Sequence, residues 1–271
     1  MSPLWRDEIG LFLAPKRIVL ARMKRGIRPV NVAERTVAVE TGEAHSWDAA
    51  IETLDVSLED PSWHRANLRL IVADNFARYA IVPWSDNLSN EDERIQHARL
   101  CMANTFGDVV SQWTVTVSDA PPGSSQVACA IPTALLERIR ALAELRDLKI
   151  KSVQPQLIAA FNGWRNQLPR GDAWFVTIDE GSLAAAHFTA TQWDCVRSVR
   201  IGADWEVELK RLQTFGRLAR TGGGESRVYV DAPQWLRDKS GSVDHGFEWL
   251  NDAPPSPDSG NHFPLLQRLY A

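Results

Sequence analysis

Two stretches of the chain follow one strand–turn–strand plan, and this repeated hairpin constrains the fold more than any other feature. Glu8–Ala21 (EIGLFLAPKRIVLA) places it near the start, and Ala173–Phe188 (AWFVTIDEGSLAAAHF) repeats it at the opening of the last third. Each is an apolar, β-branched run broken by a short turn. No short-period repeat accompanies them, so the likeness of the two hairpins is a coarse one, compatible with one large domain or two lobes.

The segments around them alternate between strand and helix patterns. Thr36–Val39 reads as a third strand, and Trp47, Ile51, Leu54 and Leu58 recur at helical spacing behind Ser46, a candidate N-cap. A hairpin is expected at Leu68–Ala73 and Arg78–Val82 around Asp74-Asn75. Ser89-Asn90-Glu91-Asp92 opens a helix with Ile95, Ala98, Met102 and Phe106 on one face, its acidic first turn matching the positive end of the helix dipole. Strands follow at Trp113–Val117 and Gln126–Ile131, a helix after Pro132 with Leu135, Leu136, Ile139 and Leu142 inward, then a strand through Leu148, Ile150 and Val153. A helix beginning near Pro155 turns Leu157, Ile158, Phe161 and Trp164 inward. The polar linker Asn166–Asp172 sets the expected boundary, giving a first lobe over 1–168 and a shorter second lobe over 169–271. Beyond the second hairpin come a strand at Trp193–Val199, a helix with Trp205, Leu209, Leu212 and Phe215 inward, a Gly222-Gly223-Gly224 loop, the strand Val228–Val230, and an irregular tail around Pro254-Pro255-Ser256-Pro257. Strands mixed with helices of this length indicate an α/β class.

Composition narrows the function. With 271 residues, 44% of them hydrophobic, the chain can bury a full core. Its 30 basic and 34 acidic residues leave a net charge of −4, which argues against a nucleic-acid binder. No apolar run approaches the roughly 18 residues of a membrane helix, and no secretory signal opens the sequence. Cys101, Cys129 and Cys195 are odd in number and widely spaced, so a soluble cytoplasmic protein is expected. Six histidines show no metal spacing, and neither a nucleophile elbow nor a P-loop is present. The eleven tryptophans follow no period and are read as packing. Lys16, Arg17, Arg22, Lys24, Arg25 and Arg28 cluster around the first hairpin, as either a solvated face or a contact for anionic lipid or an acidic partner.

The order of elements resembles the PilM family of pilus-assembly proteins and the cytoplasmic part of GspL-type secretion proteins. The opening hairpin carries this likeness, as do Tyr79–Trp84 through Trp113 to Ala128–Ile131, and Val153-Gln154-Pro155 leading into the second hairpin. The resemblance implies a two-lobed actin-like fold, a duplicated RNase H-like body with an insertion subdomain in the first lobe. It also implies a place at the cytoplasmic face of the inner membrane, peripheral to it, in a type IV pilus or type II secretion machine. The implied partner is a PilN-like or GspM-like cytoplasmic segment, docked on the first lobe. Contact with the assembly ATPase and homo-oligomerisation are further implications.

The family's nucleotide site does not carry over. Its first phosphate turn begins with an acid followed two residues later by glycine, whereas this chain has Phe12 and Ala14, with Pro15 removing an amide donor. The second turn should read Asp, apolar, Gly and reads Thr177, Ile178, Asp179; Asp179 and Glu180 put negative charge where a triphosphate lies. A shifted register would leave Asp179 and Gly181 as a residual phosphate turn. The Gly-rich adenosine turn expected after Val228–Val230 is replaced by Asp231-Ala232-Pro233. The expectation is a non-catalytic pseudo-ATPase scaffold without cofactor, metal or catalytic residues. The alternative is a magnesium-dependent ATP-binding protein of the same superfamily.

Overall fold

A computed structural model of the chain describes residues 6–24, 30–40, 47–88, 90–189, 192–202, 204–218, 226–240 and 246–250. In chain order the first elements are β1 (Glu8–Leu13), β2 (Arg17–Lys24), β3 (Val30–Ala38), α1 (Asp48–Ser57), β4 (Asn67–Val72), β5 (Arg78–Val82), α2 (Glu91–Phe106), β6 (Trp113–Val117) and β7 (Gln126–Pro132). Then follow α3 (Thr133–Leu145), β8 (Lys149–Pro155), α4 (Gln156–Trp164), β9 (Ala173–Asp179), β10 (Ser182–Phe188), β11 (Trp193–Arg200), α5 (Trp205–Leu218), β12 (Arg227–Asp231), α6 (Gln234–Ser240) and β13 (Glu248–Trp249).

The described residues gather into two compact units, one from Met1–Phe76 and Thr133–Gly163, the other from Ala77–Pro132 and Trp164–Pro254. This grouping interleaves along the chain and differs from the sequential division at 168/169.

The first unit is built on a five-stranded sheet of order β3-β2-β1-β4-β8, with β1, β4 and β8 parallel and β2 and β3 antiparallel to their neighbours. Ile9, Leu11, Phe12, Leu13, Ile18, Val19 and Leu20 are all buried, so the hairpin strands carry near-continuous apolar runs instead of alternation. Ile51 and Leu54 of α1 and its C-cap residue Leu58 are buried as their spacing requires. The α1 N-cap position is held by Trp47 without a side-chain bond, and Ser46, expected there, lies outside the described residues. Pro132 closes β7, and α3 starts one residue later with Leu135, Leu136, Ile139 and Leu142 inward. The α4 N-terminus is capped from afar, since Asp74, buried beyond β4, accepts the Leu157 amide at 3.1 Å.

The second unit repeats that plan. Its five-stranded sheet runs β11-β10-β9-β12-β13, with β9, β12 and β13 parallel and β10 and β11 antiparallel. In each unit the strands stand third-second-first-fourth-fifth, so the likeness seen in two hairpins extends to whole sheets. One face of β9, β10 and β12 packs Trp174, Val176, Ile178, Leu183, Ala185, Val228 and Val230 against Trp205, Leu209 and Leu212 of α5. The α5 residue Phe215, the Gly222–Gly224 loop and the prolines of the tail lie outside the described side chains.

The segment between β4 and α3 forms a three-stranded antiparallel sheet, β5-β7-β6, within this second unit, and β5 lies beside β11. Helix α2 starts at Asn90, whose side chain accepts the Glu93 amide at 2.9 Å, and stops at Gly107 with φ +75°. Its buried Ala98 and Met102 pack on Ala80, Val82, Val115, Ala128 and Ala130 of the small sheet.

Candidate functional site

In an α/β body a ligand site is expected beyond the carboxyl ends of the parallel strands. Both hairpin turns lie at such ends. In the first unit the position is filled with hydrocarbon. Phe12 is 0% exposed, Leu13 and Ala14 are buried, and the Arg17 guanidinium lies 5.5 Å from the Phe12 ring centroid. The Ala14 amide is spent on Arg17 O at 3.1 Å, and Pro15 has none. Lys16 O and Leu13 O accept the Val39 and Ala73 amides, each at 2.9 Å. No residue from Ala14 to Arg17 takes a positive φ, so the turn lacks the backbone shape through which glycine lets amides converge on an anion.

The second turn is different. Asp179 and Ser182 pair across a two-residue turn with Gly181 at φ +79°, the left-handed conformation that favours glycine. The Glu180 amide, which a phosphate would want, donates to Asp179 Oδ1 at 2.7 Å. Around the turn Thr177, Asp179, Ser182 and Asp231 are all buried. The strand registers put Asp179, Ser182 and Arg200 in one row across β9, β10 and β11, and Asp231 opposite Thr177. Burial, and next the approach of Arg200, hold the Arg78 guanidinium below its usual pKa. This end of the second sheet is therefore polar where the first is apolar. Past β12 the chain enters α6 through Pro233, whose carbonyl accepts the Leu236 amide at 3.0 Å, in place of a glycine turn.

A cluster the sequence reading missed lies at the other end of the same sheet, where β9 and β12 begin. His187, 0% exposed, is held between two carboxylates. Its Nε2 meets Asp172 Oδ1, and its Nδ1 lies 3.3 Å from Asp194 Oδ2. The Ser226 hydroxyl donates to Asp172 Oδ1 at 2.8 Å, and Trp174 stands edge-on to the imidazole at 5.1 Å. A histidine inside an apolar strand run is the available signal, because a buried polar ring needs partners; which ones it finds depends on the fold.

The basic cluster of the first hairpin divides. Arg22 is a structural clamp, bonded to Asp7 at 2.8 Å, to Ser62 O and to His64 O at 3.2 Å. Arg17 leans on Phe12, Lys16 and Lys24 are exposed, and Arg25 and Arg28 lie outside the described residues. Among the described residues no group of three or more His, Cys, Asp or Glu side chains is placed to hold a metal, and no helix is long and apolar enough to cross a membrane.

No protein-family model matches the sequence, and no curated protein matches it. Solved structures do. The chain is similar to the cytoplasmic domain of EpsL, an inner membrane component of the type II secretion system of Vibrio cholerae, at 11% identity over 97% of this chain and 94% of that one, TM-score 0.57. It is similar to a chain of the PilM–PilN type IV pilus biogenesis complex at 14% identity over 90% and 88%, TM-score 0.61. The fold is actin-like. A Bacteroides thetaiotaomicron protein of actin-like ATPase fold and unknown function matches at 12% identity over 99% and 98%, TM-score 0.62. At such identities the likeness establishes the fold alone, and it agrees with the actin-like fold that the family resemblance implied.

Proposed function

We propose that this protein is a non-catalytic scaffold of a type IV pilus or type II secretion assembly platform. In this reading it works at the cytoplasmic face of the inner membrane and binds the cytoplasmic segment of a membrane partner. One observation carries the non-catalytic part. The first hairpin turn, where a nucleotide-binding relative would need an acid and a glycine, is packed solid by Phe12 and Ala14. The partner class rests on the near full-length likeness to EpsL's cytoplasmic domain and to the PilM–PilN chain. An extended segment could be held by strand addition or in an apolar groove.

The test is direct. Full-length protein should retain one inner-membrane protein with a short cytoplasmic segment, and the synthetic segment should bind it one-to-one by calorimetry. Absence of any such partner refutes the scaffold reading. The second reading, magnesium-dependent ATP binding, is favoured only by the buried polar groups beside Gly181. Thermal unfolding with magnesium and ATP separates the two, because a ligand at a hundredfold excess over its Kd adds about 2.7 kcal/mol. The scaffold reading expects no shift.

A further inference from the structure

The cluster where β9 and β12 begin draws its side chains from separate segments of the chain. Asp172 comes from the connection into β9, His187 from β10, and Ser226 from just before β12. Their polar atoms converge. Asp172 Oδ1 meets His187 Nε2, and the Ser226 hydroxyl lies 2.8 Å from that oxygen and 3.4 Å from that nitrogen. Across the ring, Asp194 Oδ2 stands 3.3 Å from Nδ1. It stands there because the β10–β11 ladder bulges: His187 pairs with Cys195 and Phe188 with Trp193, which leaves Asp194 as the extra residue. A bulge re-aims one side chain, here toward the imidazole.

We propose that Asp172, His187 Nε2 and Ser226 bind a divalent transition-metal ion of the zinc class, with water filling the rest of its shell. Metal–ligand bonds of about 2.0–2.2 Å at tetrahedral angles set neighbouring donor atoms about 3.3–3.6 Å apart. Ser226 and Nε2 already stand at that spacing, and the Asp172 side chain, 41% exposed, is free to swing outward to reach it. The ion replaces the proton between Nε2 and Asp172. The neutral imidazole then carries its N–H on Nδ1 and donates it to Asp194, the carboxylate–histidine–metal arrangement that orients a ligating ring. Asp194 faces Nδ1, so it is a positioning residue and not a ligand. An imidazole ligand favours zinc, cobalt or nickel over magnesium and calcium, which take oxygen ligands. Asp172 on the solvent side gives the ion its way in, and with one imidazole and one carboxylate as the strong ligands its affinity is modest. Bound, it ties the connection into β9 to β10 and to the start of β12. The spacing of histidines along the chain gives no sign of the site, because its ligands meet only after the sheet has formed. It does not depend on the partner proposed above.

Full-length protein stripped with EDTA should bind cobalt(II) at about 100 µM, a range that populates a modest site, and show its visible ligand-field bands. Zinc should displace the cobalt, and magnesium should not. D172N keeps an oxygen to accept from Nε2 and Ser226, so it should fold as wild type does while losing about tenfold or more in affinity. D194N should lose about 10–100-fold. His97 and Cys101, 3.8 Å apart on α2, are the competing ligand pair, so C101A should leave the signal unchanged. Wild-type protein that binds no cobalt overturns the proposal. So does binding that is lost in C101A, kept in full by D172N or D194N, or displaced by magnesium.

Discussion

Replacing Phe12 by aspartate restores the type of residue that a metal-binding turn needs, and the structure says the result is loss of fold, not gain of function. The ring is 0% exposed, so removing it costs about 3–5 kcal/mol. The carboxylate then sits beside the buried Val19 and Ile71, the residues that flank position 12 on β2 and β4. Staying neutral at pH 7 through a pKa raised by about three units adds roughly 4 kcal/mol. Arg17, 5.5 Å from the present ring centroid, returns part of that. A net loss above about 5 kcal/mol rivals the whole stability of an ordinary domain, about 5–15 kcal/mol. Urea unfolding followed by tryptophan fluorescence measures it, with F12L as the apolar control losing less than about 1.5 kcal/mol. The pH dependence has a definite sign. The introduced carboxylate has a folded pKa above its unfolded value near 3.9, so the folded state binds more protons between them and F12D loses stability as pH rises through that window. An F12D protein that loses under about 1 kcal/mol, or binds ATP with magnesium, would refute the argument that this turn is packed shut.

Other outcomes follow from single contacts. H187L removes the ring between Asp172 and Asp194; both carboxylates can rehydrate in part, so the loss should be about 1–3 kcal/mol by urea unfolding, and an unchanged midpoint would mean the cluster is not structural. N90A deletes the α2 cap and should cost about 1 kcal/mol, with hydrogen exchange accelerated in the first turn of that helix. Burial raises the Cys195 and Cys101 thiols, so their alkylation in the native protein should still be climbing above pH 9.0, whereas a plateau below that pH would contradict it.

Much of this fold is legible because its signals are local. The α2 start is written in Asn90 and the three acids after it, and the α1 and α3 stripes bury the residues their spacing selects, except Trp47, which is half-buried at the α1 N-cap. The hairpins announce the duplication because strands buried on both faces must be apolar throughout. Other features depend on tertiary encounter. Asp74 reads as a turn residue and caps a helix 83 positions away. The 77–132 segment follows the first hairpin in sequence but packs with the second. The strand β3 starts six residues before Thr36, because Val30–Arg35 carries too many polar residues to look like a strand and pairs with β2 at a sheet edge instead. At the candidate site, the missing acid and glycines are plain in the sequence. The polar row across β9, β10 and β11 exists only once the register is set.

The remote cap on α4 has a consequence for how the chain assembles. Without Asp74, the helix opens with an amide lacking its acceptor, and the carboxylate reaches it only after β4 has found its place. The start of α4 is thus a clasp that fastens the stretch before the excursion to the stretch after it, and holds the two ends of an 83-residue span together.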